Sequence, residues 1–171
     1  MIDREIKVIG FIGLGVMGCS MSKNLLKNKN WNVLVKDLNA NKEKELVNQG
    51  AKIASDTREI FTLSDLVITC LPGGDFVRDL YYGKDKYISD IKINQFIIDM
   101  STSQPDLMIK LENEIKIKGA HFADAPIART RQAALDGTLA IMVGSDKDVY
   151  NKILPVLRYM GKDILLSLIH I

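Results

Sequence analysis

The sequence predicts an α/β fold of the Rossmann type, a doubly wound and largely parallel sheet, and three observations predict it. Glycines at 13, 15 and 18 follow directly on an apolar run. Apolar runs then alternate with helical patterns down the chain. An acid, Asp37, closes the second run 19 positions after Gly18 (37 minus 18).

Ile6, Val8, Ile9, Phe11 and Ile12 read as a buried first strand. Met17, Met21, Leu25 and Leu26 recur at helical spacing behind the glycines, so the unit is strand, tight turn, helix. In such a unit Gly13 makes the turn, Gly15 lets the backbone approach a pyrophosphate, and Gly18 lets the helix pack on the strand. The free N–H groups and positive dipole end of the helix then hold phosphates. Further strands are expected at 33–35, 51–54, 66–70 and 96–98, with helices at 43–48, 58–63, 77–82 and 107–117. Asp, Ser or Asn precedes several of these helices as a cap. Strands at 120–124 and 139–143 follow, with a polar helix between them and another over 146–160 that Pro155 should bend or interrupt.

No Pro, Gly or Ser linker marks an internal boundary, so residues 1–165 are expected to form one NAD(P)-binding domain. Residues 166–171 are expected to be a non-native tail, because CTG TCT CTT ATA CAC ATC, a transposon-end adapter, encodes them; His170 then carries no function. A chain of 171 residues is long enough for one domain with a real core. Its net charge of +2 is spread without a basic stripe, which argues against a nucleic-acid partner. The early apolar run is short and interrupted by Arg4, Glu5 and Lys7, which argues against a membrane segment. Two cysteines imply no disulfide framework, and the expected compartment is the cytoplasm. Cys19, in the first turn after the glycines, reads either as a thiol activated by the helix N-terminus or, the favoured reading, as a small packed side chain. His121 has no Cys or His partner at metal spacing, so no metal is expected.

Asp37 stands where such a unit places the acid that binds the adenosine ribose hydroxyls. A carboxylate there repels a 2′-phosphate, which favours NAD over NADP, although Lys36 and Lys42 keep NADP open; Asp37 could also simply start an Asp-Leu-Asn turn. The stretch Thr69-Cys70-Leu71-Pro72-Gly73-Gly74-Asp75 presents backbone at a strand end, as a contact of Leu71 or Pro72 with a dinucleotide or as a plain turn. Two more stretches are specific: Asp99-Met100-Ser101-Thr102-Ser103-Gln104-Pro105, and Asp124-Ala125-Pro126-Ile127-Ala128-Arg129-Thr130 followed by Asp136-Gly137-Thr138-Leu139-Ala140-Ile141-Met142-Val143-Gly144.

With these motifs in this order, the chain resembles the β-hydroxyacid dehydrogenase family, which includes 3-hydroxyisobutyrate dehydrogenase, tartronate semialdehyde reductase and 6-phosphogluconate dehydrogenase. The resemblance runs to about Asp163. It implies Val16 and Met17 at the pyrophosphate, Asp37 at the adenosine ribose, Leu71 along the dinucleotide, Thr102 on the nicotinamide side and Ser101 beside the substrate. Two hydroxyls at a strand end suit a hydride-transfer centre, though the same pair could cap the next helix. The chain departs from the common pattern of an aliphatic residue followed by Ser-Gly-Gly, for Arg129 stands in place of a glycine. A guanidinium suits a carboxylate, phosphate or sulfonate. Arg129 and Thr130 look like the sulfolactaldehyde reductase branch, where an arginine holds the sulfonate; the alternative is a surface arginine paired with Asp124 or Asp136. The resemblance also implies an NAD-dependent oxidoreductase acting on a small anionic 3-hydroxy acid or semialdehyde, and a homo-oligomer at full length. Its proton-donating lysine belongs to a second, all-helical domain in a Gly-x-x-x-Lys-x-x-Asn pattern, which Lys147, Lys152 and Lys162 do not fit. No catalytic residue is therefore expected in this chain, and the fragment alone is expected to be inactive. A non-catalytic dinucleotide-binding module stays open; an S-adenosylmethionine methyltransferase is disfavoured by the motifs at 99–102 and 137–144.

Overall fold

In the computed structural model, which describes residues 4–167, strands and helices alternate along the chain. They are β1 (Val8–Ile12), α1 (Val16–Leu25), β2 (Asn32–Lys36), α2 (Ala40–Val47), β3 (Lys52–Ile53), α3 (Thr57–Leu63), β4 (Leu66–Thr69), α4 (Gly74–Tyr82), β5 (Phe96–Asp99), α5 (Pro105–Ile117) and β6 (His121–Asp124). The six strands form one parallel sheet in the order β3-β2-β1-β4-β5-β6. Strand order reverses between β1 and β4, which opens a crevice at their carboxyl ends.

The central strands are buried on both faces, as a sheet covered by helices requires. Their side chains divide with a period of two. Ile9, Phe11, Leu66, Ile68, Phe96 and Ile98 enter one core, together with Met21 and Leu25 of α1. Ile12, Leu34, Val67 and Ile97 enter the other, with Ile60 of α3, Val77 of α4 and Leu111 of α5. Asn39 and Asp56 cap α2 and α3 by accepting the N–H of Asn41 and Glu59.

The strand expected at 139–143 forms, and it belongs to a second sheet in the segment after β6. β7 (Ile127–Ala128), β8 (Leu139–Val143) and β9 (Gly161–Leu166) make a separate three-stranded sheet in which β7 runs antiparallel to β8 and β9 parallel to it. A single bridge between Asp124 and Gly144 joins the two sheets. Between the small strands lie α6 (Arg131–Asp136), capped by Thr130, and α7 (Lys147–Leu157). Pro155 does not interrupt α7: it falls in the exposed last turn, where its missing N–H costs one hydrogen bond, and the helix ends at Leu157. Leu166 pairs opposite Val143 as the last residue of β9, and the Ser167 N–H donates to the Val143 carbonyl at 2.7 Å. The rest of the expected tail, 168–171 with His170, lies outside the described residues. Among the described residues no helix is long and apolar enough to cross a membrane.

Candidate functional site

The three glycines of the β1–α1 turn meet three different steric demands. Gly13 has φ +95°, and a Cβ there would stand 2.3 Å from the Cys70 carbonyl oxygen, so the turn closes against the end of β4. Gly18 packs α1 onto that turn; its Cβ would stand 1.9 Å from the Gly13 carbonyl oxygen. Gly15 is different, because a Cβ there would meet nothing within 4 Å and its φ of −62° suits any residue. No demand of the chain itself explains a glycine at position 15. Gly15 is also the N-cap of α1 and offers no side chain to the first-turn N–H groups, which Val16 and Met17 begin.

Asp37 follows β2 and is tied to this turn. Its Oδ2 accepts the Leu14 N–H at 2.6 Å, and its Oδ1 accepts the Asn39 N–H at 2.8 Å. Lys36 pairs with Glu43 at 3.2 Å and donates to the Ala54 carbonyl at 3.3 Å, the same Glu43 oxygen accepts the Asp37 N–H at 3.0 Å, and Lys42 approaches Asp37 to 3.8 Å. A ribose diol therefore has a fixed carboxylate beside the glycine turn, and of the two lysines it is Lys42 that pairs with it.

Across the crevice, Leu71 is half-buried and Pro72 exposed ahead of α4. Ser101 is only 2% exposed, and its hydroxyl faces inward: it donates to Asp99 at 2.7 Å and accepts the Leu71 N–H at 2.9 Å. Thr102, next in sequence, is exposed. Asp99 itself is completely buried, and burial pushes its acid up from the ordinary carboxylate range against the pull of the Thr69 and Ser101 hydrogen bonds. The same burial, helped by the charge of Asp99, pushes the Cys70 thiol up to about 12. Burial also raises the Cys19 thiol, which packs against the core around α1, so its surroundings favour packing over activation. The His121 ring lies tilted against Phe96 with centroids 4.9 Å apart, and burial lowers its pKa.

Arg129 keeps a glycine-like backbone, with φ +95°. Its guanidinium donates to the Thr138 carbonyl at 3.2 Å and to the carboxylate of Asp163, both groups of the pair being about half exposed. The pairing is thus with Asp163 of β9, while Asp136 accepts from the Gln132 amide at 2.9 Å. The Thr130 hydroxyl accepts the Ala133 N–H as the cap of α6. Reading the sequence alone missed Asp99 and Asp163 as partners of the expected site residues. Asp99 carried one usable signal, a carboxylate ending an apolar run just before three hydroxyl residues.

Residues 8–169 match the protein family described as the NAD binding domain of 6-phosphogluconate dehydrogenase. The chain is 38% identical over 162 residues to 2-(hydroxymethyl)glutarate dehydrogenase of Eubacterium barkeri, covering 95% of this chain and 53% of the relative. It is 34% identical over 157 residues to 3-sulfolactaldehyde reductase of Escherichia coli K12, covering 92% of this chain and 52% of the relative. The solved structure of Mycobacterium tuberculosis 3-hydroxyisobutyrate dehydrogenase with L-serine superposes with a TM-score of 0.86 at 28% identity, covering 94% of this chain and 54% of that one. The chain spans about half the length of the relatives it matches.

Proposed function

Because the chain belongs to the family of 6-phosphogluconate dehydrogenase NAD-binding domains, we propose that it is the cofactor-binding half of an oxidoreductase acting on a small anionic 3-hydroxy acid or semialdehyde. The observation that carries this reading is Gly15, a glycine with open space at its Cβ and bare helix N–H groups behind it. A pyrophosphate is the group that needs both. When bound, the nicotinamide supplies or accepts the hydride.

The chain's own residues bind and orient. Gly13, Gly15 and Gly18 shape the pyrophosphate cradle, with Val16 and Met17 at its floor. Asp37 takes the ribose hydroxyls with both oxygens already fixed by backbone N–H groups, which favours NAD; Lys36 is already paired with Glu43. Leu71, Pro72 and Thr102 line the nicotinamide side, and Ser101 supports them from behind rather than at the substrate. Arg129, with Thr130, offers a half-exposed guanidinium to the substrate's anionic group, which would replace Asp163. Relatives named for a glutarate, a sulfolactaldehyde and a hydroxyisobutyrate support an anionic substrate class. The proton donor to the carbonyl oxygen lies outside residues 1–165, and full-length copies associate as a homo-oligomer.

The test is a titration of the purified chain with NADH and NADPH, followed by nicotinamide fluorescence, and then an assay with sulfolactaldehyde and tartronate semialdehyde. Saturable binding that prefers NADH, without turnover, is expected. A folded chain that binds neither nucleotide would overturn the proposal.

A further inference from the structure

Asp99 has no part in the cofactor contacts proposed so far, yet it is the most interconnected polar side chain at the carboxyl edge. Its Oδ1 accepts from the Thr69 hydroxyl at 2.6 Å, the Ser101 hydroxyl at 2.7 Å and the Ser101 N–H at 3.4 Å. Its Oδ2 accepts from the Ser103 hydroxyl at 3.3 Å. The Ser101 hydroxyl accepts in turn from the Leu71 N–H at 2.9 Å. One carboxylate therefore joins the end of β4, the loop that follows it, and the loop that follows β5.

Its hydrogen-bond partners are hydroxyl and N–H groups, and no lysine or arginine pairs with it among the described residues. A buried charge without a cation costs desolvation, and a small apolar residue would end β5 at less cost. What the carboxylate adds is geometry: it accepts from several short donors that would otherwise rotate freely. Ser101 and Ser103 flank Thr102, so both neighbours of that exposed residue are pinned to the same group. The adenosine half is separate. Asp37 follows β2, and Asp99 ends β5, three strand spacings away in the order β2-β1-β4-β5, which is about 14 Å.

We propose that Asp99 is a positioning residue for the nicotinamide half of the site: it fixes Thr102 and the Leu71 backbone and leaves the glycine turn and Asp37 unaffected. The inference rests on the dinucleotide reading of the same crevice. It separates two ligands, because NADH needs both halves whereas ADP-ribose needs only the adenosine half.

Calorimetric titrations of the chain and of Asp99→Ala, Asp99→Asn and Ser101→Ala with NADH and with ADP-ribose test it. For Asp99→Ala the expected result is NADH binding at least tenfold weaker with ADP-ribose affinity within twofold of the parent. Asp99→Asn keeps an acceptor for Thr69 and Ser101 and restores most of the NADH affinity. Ser101→Ala removes the link to Leu71 and one donor to Asp99 while the Thr69 and Ser103 bonds remain, and gives an intermediate loss. Should Asp99→Ala fail to fold, Ser101→Ala carries the same comparison. The inference is overturned if NADH and ADP-ribose weaken together, as general loosening would produce, or if folded Asp99→Ala or Ser101→Ala binds both like the parent. A parent chain that binds NADH no more tightly than ADP-ribose overturns the nicotinamide reading itself, and the inference falls with it.

Discussion

Two aspartates at opposite ends of the same parallel sheet show how differently its edges are built. Asp65, just before β4 at the amino edge, accepts from the Arg4 guanidinium at 2.7 and 3.1 Å and from the N–H groups of Lys7 and Val8 at 3.0 and 2.9 Å. Burial alone would raise its acid, but the Arg4 hydrogen bond and those N–H groups outweigh it and hold Asp65 below the ordinary range. Asp99, ending β5 at the carboxyl edge, has only uncharged donors and sits above that range. A carboxylate at the amino edge stabilises the fold, whereas one at the carboxyl edge costs stability and organises loops. The positive φ of Gly13 also lies at the carboxyl edge, and that of Arg129 in the segment after β6.

The largest expected effect is at Gly18. Gly18→Ala forces a Cβ to 1.9 Å from a backbone oxygen, so it should cost about 3 kcal/mol or more in urea unfolding. Parent-like stability would mean that the turn is looser than its geometry.

Asp65→Ala should cost about 2 kcal/mol, since it strips an acceptor from two N–H groups and a guanidinium. The two aspartates should also differ in the sign of their pH dependence. Asp65, with its folded pKa lowered, contributes stability that is present above about pH 4 and lost as pH falls through the folded value. Asp99, with its folded pKa raised, contributes stability that is present below about pH 4 and lost as pH rises through the folded value. Thermal melts of Asp65→Asn should therefore approach the parent as pH falls below about 4, whereas those of Asp99→Asn should gain on the parent as pH rises above about 4. Parallel pH profiles for the two variants would erase the contrast between the edges.

The smallest effect is at Arg129. Arg129→Gly removes a strained φ worth about 1 kcal/mol and gives up a surface ion pair worth about 0.5 kcal/mol, for a net gain near the difference in a urea titration. A loss above about 1 kcal/mol would show the Asp163 pair to be more than a surface contact.

The parallel sheet was legible because its strands are short apolar runs separated by helical periods, and the glycine turn because three glycines sit at fixed offsets behind a strand. The small sheet was not. β7 has two residues, and β9 opens on Gly161, Lys162 and Asp163, so neither shows a period. The partners of Asp99 cannot be read locally because Thr69 lies 30 positions away; the Arg129–Asp163 pair spans 34 positions. Local pattern reveals elements and loops, but a hydrogen-bonded cluster assembled from distant strand ends appears only when the sheet is formed.

The central claim is that the carboxyl edge is shaped for a dinucleotide, and Gly15 tests it most directly, since nothing in the chain occupies the space beside it. Calorimetric titration of the parent and Gly15→Ala with NADH, alongside thermal melts, should give nearly equal melting temperatures and NADH affinity at least tenfold lower in the variant. Equal NADH affinity in the two folded proteins would contradict it.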